Sequence, residues 1–444
     1  KPLTDSNKEK AMMTMTSLIL YYSQRKSFLG AVVSCRMIEM SMNFGYCADT
    51  IHGATAFAIS LVTCLGDIDG GNVWGRKAMA LMKVCSRPNL IPTISASLYT
   101  YVFVWKEPFQ STLDFLAEGI RSSFVYGQVE YAKVFTQIYV SRSFHTGKNI
   151  RVLTEEVDAL TRQHGIRFGD ETSSDAVNQF LLLPMSNILR DLQEELDHSS
   201  IERRPVQGIH RVDNYELLKV AIGSGNSALL YFLLLLQTAK EFMTRSMDNA
   251  LKCTDMYFEY FGSKKAQMAY IYIFNVFYDG LINFHFAGQT GDARYRERGE
   301  NALTQLRDWS RHSDWNFRNK FLLLNAEYYK ITNDFTNAAA CYHESINAAK
   351  QHKFIHEEAM ANELAGIFYS EQGIYPQSLS YFKQAVECYR KWGASVIARE
   401  LEIRIEEQFG KESMHSTGPI DAVVVPNVAS QLCGKASTKR QCSY

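Results

Sequence analysis

One spacing limits this chain more than any other feature: a pattern that occurs twice, forty positions apart. Ala326, Tyr329, Ala338 and Tyr342 recur as Gly366, Tyr369, Ser378 and Phe382. Midway through each set lies a turn, Thr332-Asn333-Asp334 in the first copy and Gln372-Gly373 in the second. Small, aromatic, turn, small, aromatic is the order required by two antiparallel helices packed as a hairpin. The small residues let the axes approach, and the aromatics fill the groove on the next pair. A single hairpin cannot cover its own apolar face, so one pair implies neighbours on both sides.

The remaining sequence spells the same theme more loosely. Helical apolar stripes mark residues 1–47, as in Leu18, Tyr21, Tyr22 and Phe28-Leu29. A hairpin is expected over Gly53–Val84, turning at Gly66-Asp67, with Gly71, Gly75 and Ala78 on its second helix. A third unit spans Ile91–Val125, with Pro108 at a first-turn position of its second helix. A fourth spans Val129–Leu160 and turns at Thr146-Gly147. Periodicity fades over His164–Asp175 and again over His198–Asp213, then returns at Tyr215. Leu229–Thr244 pairs with Ser246–Phe261, and Lys265–Phe286 with Arg294–Trp309 through Ala287–Gly291. About ten hairpins of roughly 40 residues account for positions 1–410. The reading is therefore all-α. It divides into an N-terminal helical-repeat block (1–197), an inter-block loop (198–213), a C-terminal repeat block (214–410) and a disordered or extended tail (411–444).

Composition sets outer bounds. The 9 prolines suit a chain made mainly of helices, and 47 basic against 47 acidic residues leave no global charge to seek nucleic acid. The 9 cysteines contain no C-x-x-C pair and read as reduced thiols of a cytoplasmic protein rather than a zinc site. The longest apolar run, Ala228–Leu236, is about half of what a membrane span needs, so no membrane insertion is expected. The chain opens at Lys1 rather than Met, and the expectation is a segment of something longer.

No constellation carries chemistry. Gly70–Lys77 is nearest to a phosphate loop, but Arg76 stands where Lys must follow the second Gly, and Gly223–Ala228 lacks the Lys. His210–Asp213 imitates a kinase catalytic loop without a D-F-G or a Gly-rich partner. His343 and His356 read as exposed polar positions, since no H-E-x-x-H accompanies them. Glu194-Glu195 and Glu406-Glu407 read as solvated faces whose carboxylates diverge. Tyr257, Tyr260, Phe261, Tyr270, Tyr272, Phe274, Phe277 and Tyr278 follow a helix stripe and read as filling between layers, the alternative being a partner groove. No catalytic, cofactor-binding or metal residue is assigned, and the binding residues stay open.

Trp315–Lys320, Asn325–Tyr329, Glu357–Ala365, Phe368-Tyr369 and Glu387–Ala394 together resemble the TPR-like helical region of large multidomain signalling ATPases. Those proteins join a serine/threonine-kinase-like module and an AAA/STAND-type ATPase to this region, often followed by GAF and histidine-kinase domains. Gly66–Gly70 with Trp74-Gly75, and Glu130–Ala132 with Ser143-Phe144 and Gly147, are similar to the same family. Ser378 and Arg390 depart from the family's usual Ala and Pro, and residues 165–215 match poorly. The resemblance implies a superhelical array of TPR-like antiparallel hairpins: a non-catalytic, regulatory interaction arm without cofactor. Its partner is another protein or another domain of the same polypeptide. A small-molecule sensor, or a nucleotide-binding enzyme built around Gly70–Lys77, are the alternatives. The repeat register makes one sharp prediction. Truncating Phe382 to Ala removes a buried aromatic, and urea unfolding is expected to show a loss of about 3–5 kcal/mol; a negligible loss breaks the register.

Overall fold

The turns decide the architecture. In this computed structural model, which describes residues 1–24, 28–85, 87–164, 176–193, 213–262 and 269–410, helix after helix ends on a residue in the left-handed region. Gly127, Gly147, Gly225 and Gly373 hold that position, and so do Arg245, Asn333 and Lys353, at φ of 61°, 60° and 62°. The next backbone N–H then returns five residues: Gln128 to Ser123 at 2.7 Å, Lys148 to Ser143 at 3.0 Å, Asp334 to Tyr329 and Ile374 to Tyr369 at 2.9 Å. This closure satisfies carbonyls that the helix end would orphan. The following residue then often caps the next helix, as Asn226 does through Leu229 and Asp334 through Asn337. A chain that stops and restarts within three residues has to double back.

The result is a row of antiparallel helices. The first half holds α1 (Ser6–Gln24), α2 (Leu29–Phe44), α3 (Ala48–Leu65), α4 (Ile68–Val84) and α5 (Ile91–Tyr101). It continues through α6 (Leu113–Val125), α7 (Val129–His145), α8 (Ile150–Gln163) and α9 (Ala176–Gln193). The second half holds α10 (Asn214–Gly223), α11 (Ser227–Met243), α12 (Met247–Phe261), α13 (Ala269–Thr290) and α14 (Ala293–Ser310). It ends with α15 (Asp314–Ile331), α16 (Phe335–Gln351), α17 (Ile355–Glu371), α18 (Tyr375–Trp392) and α19 (Ser395–Phe409). Two 3-10 turns, Phe103–Trp105 and Gln110–Thr112, lie between α5 and α6. No strand occurs among the described residues; a lone bridge pairs Pro2 with Tyr46. The positions of the expected loop and tail at 198–212 and 411–444 lie outside the described residues.

Inside the hairpins a glycine faces an aromatic ring. A Cβ on Gly366 would lie 2.6 Å from the Phe382 ring, one on Gly119 2.4 Å from Phe135, and one on Gly299 2.5 Å from Phe284. Any side chain there would force the axes apart. Ser378 fits the same logic: it is buried, and its hydroxyl donates to the Gly366 carbonyl at 2.7 Å. The repeated pattern thus sits where the sequence puts it, with Ala326, Ala338, Tyr342, Tyr369 and Phe382 all buried. The aromatic crowd of the 257–278 region is core as well, apart from half-exposed Tyr260 and from Tyr270, whose side chain is outside the description.

Residues 91–160 differ from expectation. The tight pair here is α6 with α7, not α5 with α6, while α5 lies against α3 and α8 against α9. Pro108 does not open a helix, because α6 begins five residues later at Leu113. The cause is tertiary. Phe109 is fully buried, and the Asn316 side chain holds the neighbouring backbone open. Its Oδ1 accepts from the Phe109 N–H at 3.0 Å, while its Nδ2 donates to the carbonyls of Val104 at 3.2 Å and Glu107 at 2.7 Å. The helix α13 also runs on to Thr290, four residues past the expected end. By length and composition α3 could cross a membrane, yet here Ile51, Ala54, Ala58 and Val62 pack it into the array.

One apolar core runs from Ile38 to Ile405, and a seam of long-range contacts joins the two halves within it. Trp315 donates to Gln110 Oε1 at 3.1 Å, and Gln110 donates to the His352 carbonyl at 3.0 Å. Further along, Trp392 donates to the Lys148 carbonyl and Asn149 to that of Lys391, both at 3.0 Å. Buried between these contacts lies an ion pair, Lys320 Nζ to Glu357 Oε2 at 2.8 Å, with Asn319 donating to the same oxygen. The Lys320 ammonium sits 4.0 Å from the Phe354 ring centroid and 5.4 Å from that of Phe274. Burial pulls the lysine down and pushes the Glu357 carboxyl up, each opposed by its partner. His356, expected to be exposed, is fully buried here against Trp392 and Gly147; the turn of the first half closes over it. His343 is half-buried.

His145 packs on Phe274, 4.5 Å between centroids, and its Nδ1–H donates to the Ser141 carbonyl at 2.8 Å. Burial, with Lys320 nearby, lowers it to about 4, while the Ser141 contact opposes the fall. An unfolded chain takes up that proton near pH 6.5 and the folded one resists, so the contribution is present above 6.5 and lost on descent towards 4. Between pH 7 and pH 4.5 the unfolding free energy from urea titration is expected to fall by more in the wild type than in His145→Phe, by up to about 3 kcal/mol.

Candidate interaction cleft

The first helices of successive hairpins, α13, α15 and α17, together with α19, line a cavity of about 400 Å³ closed at one end by the α11–α12 turn. Its apolar lining includes Phe242, Leu281, Leu364 and Ile367, and its polar groups are Arg245, Asp248, His285, Gln289, Glu327, Lys330, Glu371 and Arg404. Arg245 reaches it because its own left-handed backbone ends α11 and turns the side chain inward.

The charges are interlocked. The Oε1 of fully buried Glu363 accepts from Arg245 Nε at 2.9 Å and from Arg404 Nη2 at 2.6 Å, and its Oε2 accepts from the Tyr389 hydroxyl at 2.8 Å. Burial alone would raise this carboxyl, but the two guanidinium groups hold it down at about 2. Across the cleft Tyr342 donates to Glu327 at 2.6 Å, and Lys330 pairs with Glu371 at 3.0 Å. Burial carries both tyrosine hydroxyls well above their ordinary range, with the adjoining carboxylates adding to it. His285 is lowered by burial and then by Arg245 and Lys330, so it faces the cleft as a neutral imidazole at pH 7. Three lining cations, Arg245, Lys330 and Arg404, face three lining carboxylates, Asp248, Glu327 and Glu371, with Glu363 buried behind them, so the cleft carries no excess of positive charge. Such a surface offers paired charged donors and acceptors beside an apolar lining.

The sequence singled out none of these residues. The motifs it did single out lie elsewhere. Gly70–Lys77 is interior helix of α4: a Cβ on Gly71 would meet Val62 at 2.4 Å, and Gly75 faces Phe103, so these glycines serve packing. Arg76 pairs with Glu107, and the Lys77 ammonium lies 4.1 Å over the Trp74 ring. Gly223–Ala228 is the left-handed turn between α10 and α11. His210–Arg211 and Glu194-Glu195 lie outside the described residues, and Glu406-Glu407 lies on the outer part of α19. Among the described residues no group of His, Cys, Asp and Glu is arranged to hold a metal. A second, shallower hollow between α1, α3 and residues 87–90 is lined by Glu9, Thr16, Asp49, His52 and Arg87. Its groups come from one edge of the array, whereas the cleft draws on six helices and a turn. No protein-family model matches this chain, and no curated protein matches it.

The interlock separates structural from surface charge. Glu363→Gln leaves the largely buried guanidinium of Arg245 and the part-exposed one of Arg404 short of their carboxylate and is expected to cost about 3 kcal/mol in urea unfolding. Glu371→Gln, in a half-exposed pair, is expected to change stability by about 1 kcal/mol or less. Equal effects would show that the cleft charges are not coupled as described.

Proposed function

We propose that this chain is a non-catalytic interaction and regulatory region: a superhelical array of TPR-like hairpins of the kind found in cytoplasmic signal-transduction ATPases and kinases. Its cleft receives a protein partner or another segment of the parent polypeptide. The observation that carries this reading is the cleft itself. Successive first helices present apolar floor and paired charges towards one hollow, the surface on which stacked helical repeats take up a chain segment. Its charge balance suits a polypeptide with both signs rather than a polyphosphate backbone, which needs an excess of cations. The signalling context rests on the resemblance of Trp315–Lys320 and Glu357–Ala365.

A small-molecule sensor is the second reading, favoured by a volume within the range of small-ligand sites, about 300–1,000 Å³. A photo-crosslinking residue placed at Gln289 or Ile367 separates the two. In cells, the interaction reading expects these positions to yield discrete protein conjugates that outer-face Val152 does not. Conjugates of small mass alone favour the sensor. The purified chain is expected to show no ATP turnover above buffer, and turnover abolished by Lys77→Ala would overturn the non-catalytic reading.

A further inference from the structure

The hairpin of α3 and α4 carries a cysteine at each of its two open ends. Cys47 is the residue before α3, and Cys85 is the residue after α4. Cys47 stands nineteen positions before Gly66 at the turn and Cys85 nineteen after it, so antiparallel packing brings them level. The pairing is close along its length, because Gly71 lies where a Cβ would be 3.0 Å from the Ala58 carbonyl. At the open end the Cys85 thiol reaches to 4.0 Å from the Cys47 carbonyl oxygen. The Cys47 sulfur is held in the first turn of α3, where the Thr50 hydroxyl donates to it at 3.9 Å. Both thiols are free and half-buried.

We propose that Cys47 and Cys85 form a reversible disulfide that staples the open end of the α3–α4 hairpin, with a low-molecular-weight disulfide of the glutathione class as the oxidant. A disulfide needs Cβ atoms about 4 Å apart, and the Cys85 thiol already reaches within 4.0 Å of the Cys47 backbone. The two thiols also sense each other. Burial pushes Cys85 up and the Cys47 sulfur pushes it further, against Arg87. That leaves Cys47 as the first attacker and Cys85 as the resolving group. The Cys47 thiolate attacks one sulfur of the oxidant, forming a mixed disulfide and releasing one thiolate. Cys85 then loses its proton, attacks the Cys47 sulfur and expels the second thiolate. Two protein thiols lose two electrons, one small disulfide becomes two thiols, and the two protons pass to them. The bridge fixes where the chain leaves α4 on its way to α5 and to the Phe103–Phe109 stretch that meets the second half. It is a modification site at the root of the long-range seam.

The test uses the whole chain, incubated with oxidised glutathione and mapped by peptide mass after thiol blocking. A cross-linked peptide joining Cys47 to Cys85 is expected in the wild type and in Cys64→Ser, absent from Cys47→Ser and Cys85→Ser, and reversed by dithiothreitol. The thermal midpoint of the oxidised wild type is expected to rise, with no rise in Cys85→Ser under the same treatment. Only single glutathione adducts at these positions, or a cross-link from either residue to another cysteine, overturns the proposal. So does a midpoint that is unchanged or lowered in a sample mapped as bridged.

Discussion

An asparagine side chain does what a strand of backbone would do elsewhere. Asn316 meets one N–H and two carbonyls of the 104–109 stretch, more than two hundred residues away, and so permits that stretch to leave the helical pattern without stranding its polar groups. Phe109 can then enter the core beside Phe274, Phe317 and Phe354. The rings of Phe109, Phe274, Phe277 and Phe354 surround Lys320, whose ammonium would be untenable in an apolar interior without Glu357 and the facing π-systems. Asparagine, ring cage and ion pair depend on one another.

This seam distinguishes the molecule from an array in which each repeat meets only its neighbours. The turns and the glycine-under-ring contacts build a one-dimensional row of hairpins. The seam then closes the row upon itself: α5 meets α13, and α9 meets α19. The cleft follows from the same closure, because two of its lining cations, Arg245 from the α11–α12 turn and Arg404 from α19, are held by the buried Glu363. Elements separated by more than one hundred residues complete a single polar network there.

Much of the row was legible in the sequence. Left-handed turn positions showed as Gly373 and Asn333, close-approach sites as small residues at helical spacing, and layer filling as the aromatic stripe. Local chemistry writes those features, and local spacing reads them back. The pairing of α6 with α7 was not legible, because it depends on Gly119 lying under Phe135 while Asn316 draws the preceding stretch away. The seam and the cleft were missed for a related reason. On α17 His356 read as exposed, and Asn316, Lys320 and Glu363 were assigned no role, yet all four are buried. A usable signal existed. Asn316, Lys320 and Glu327 fall on the same helical stripe as Leu323, so polar groups share a face with a core residue and must meet partners there.

The closure has a consequence for how the protein is made. Phe144 is covered by Trp392, a residue that leaves the ribosome 248 codons later. At about 5–20 residues per second the nascent chain carries that surface for tens of seconds before its cover exists. Biosynthesis therefore imposes a long interval in which the first helices are formed but unshielded, and a chaperone has most to protect at the stretch from Phe103 to Lys148.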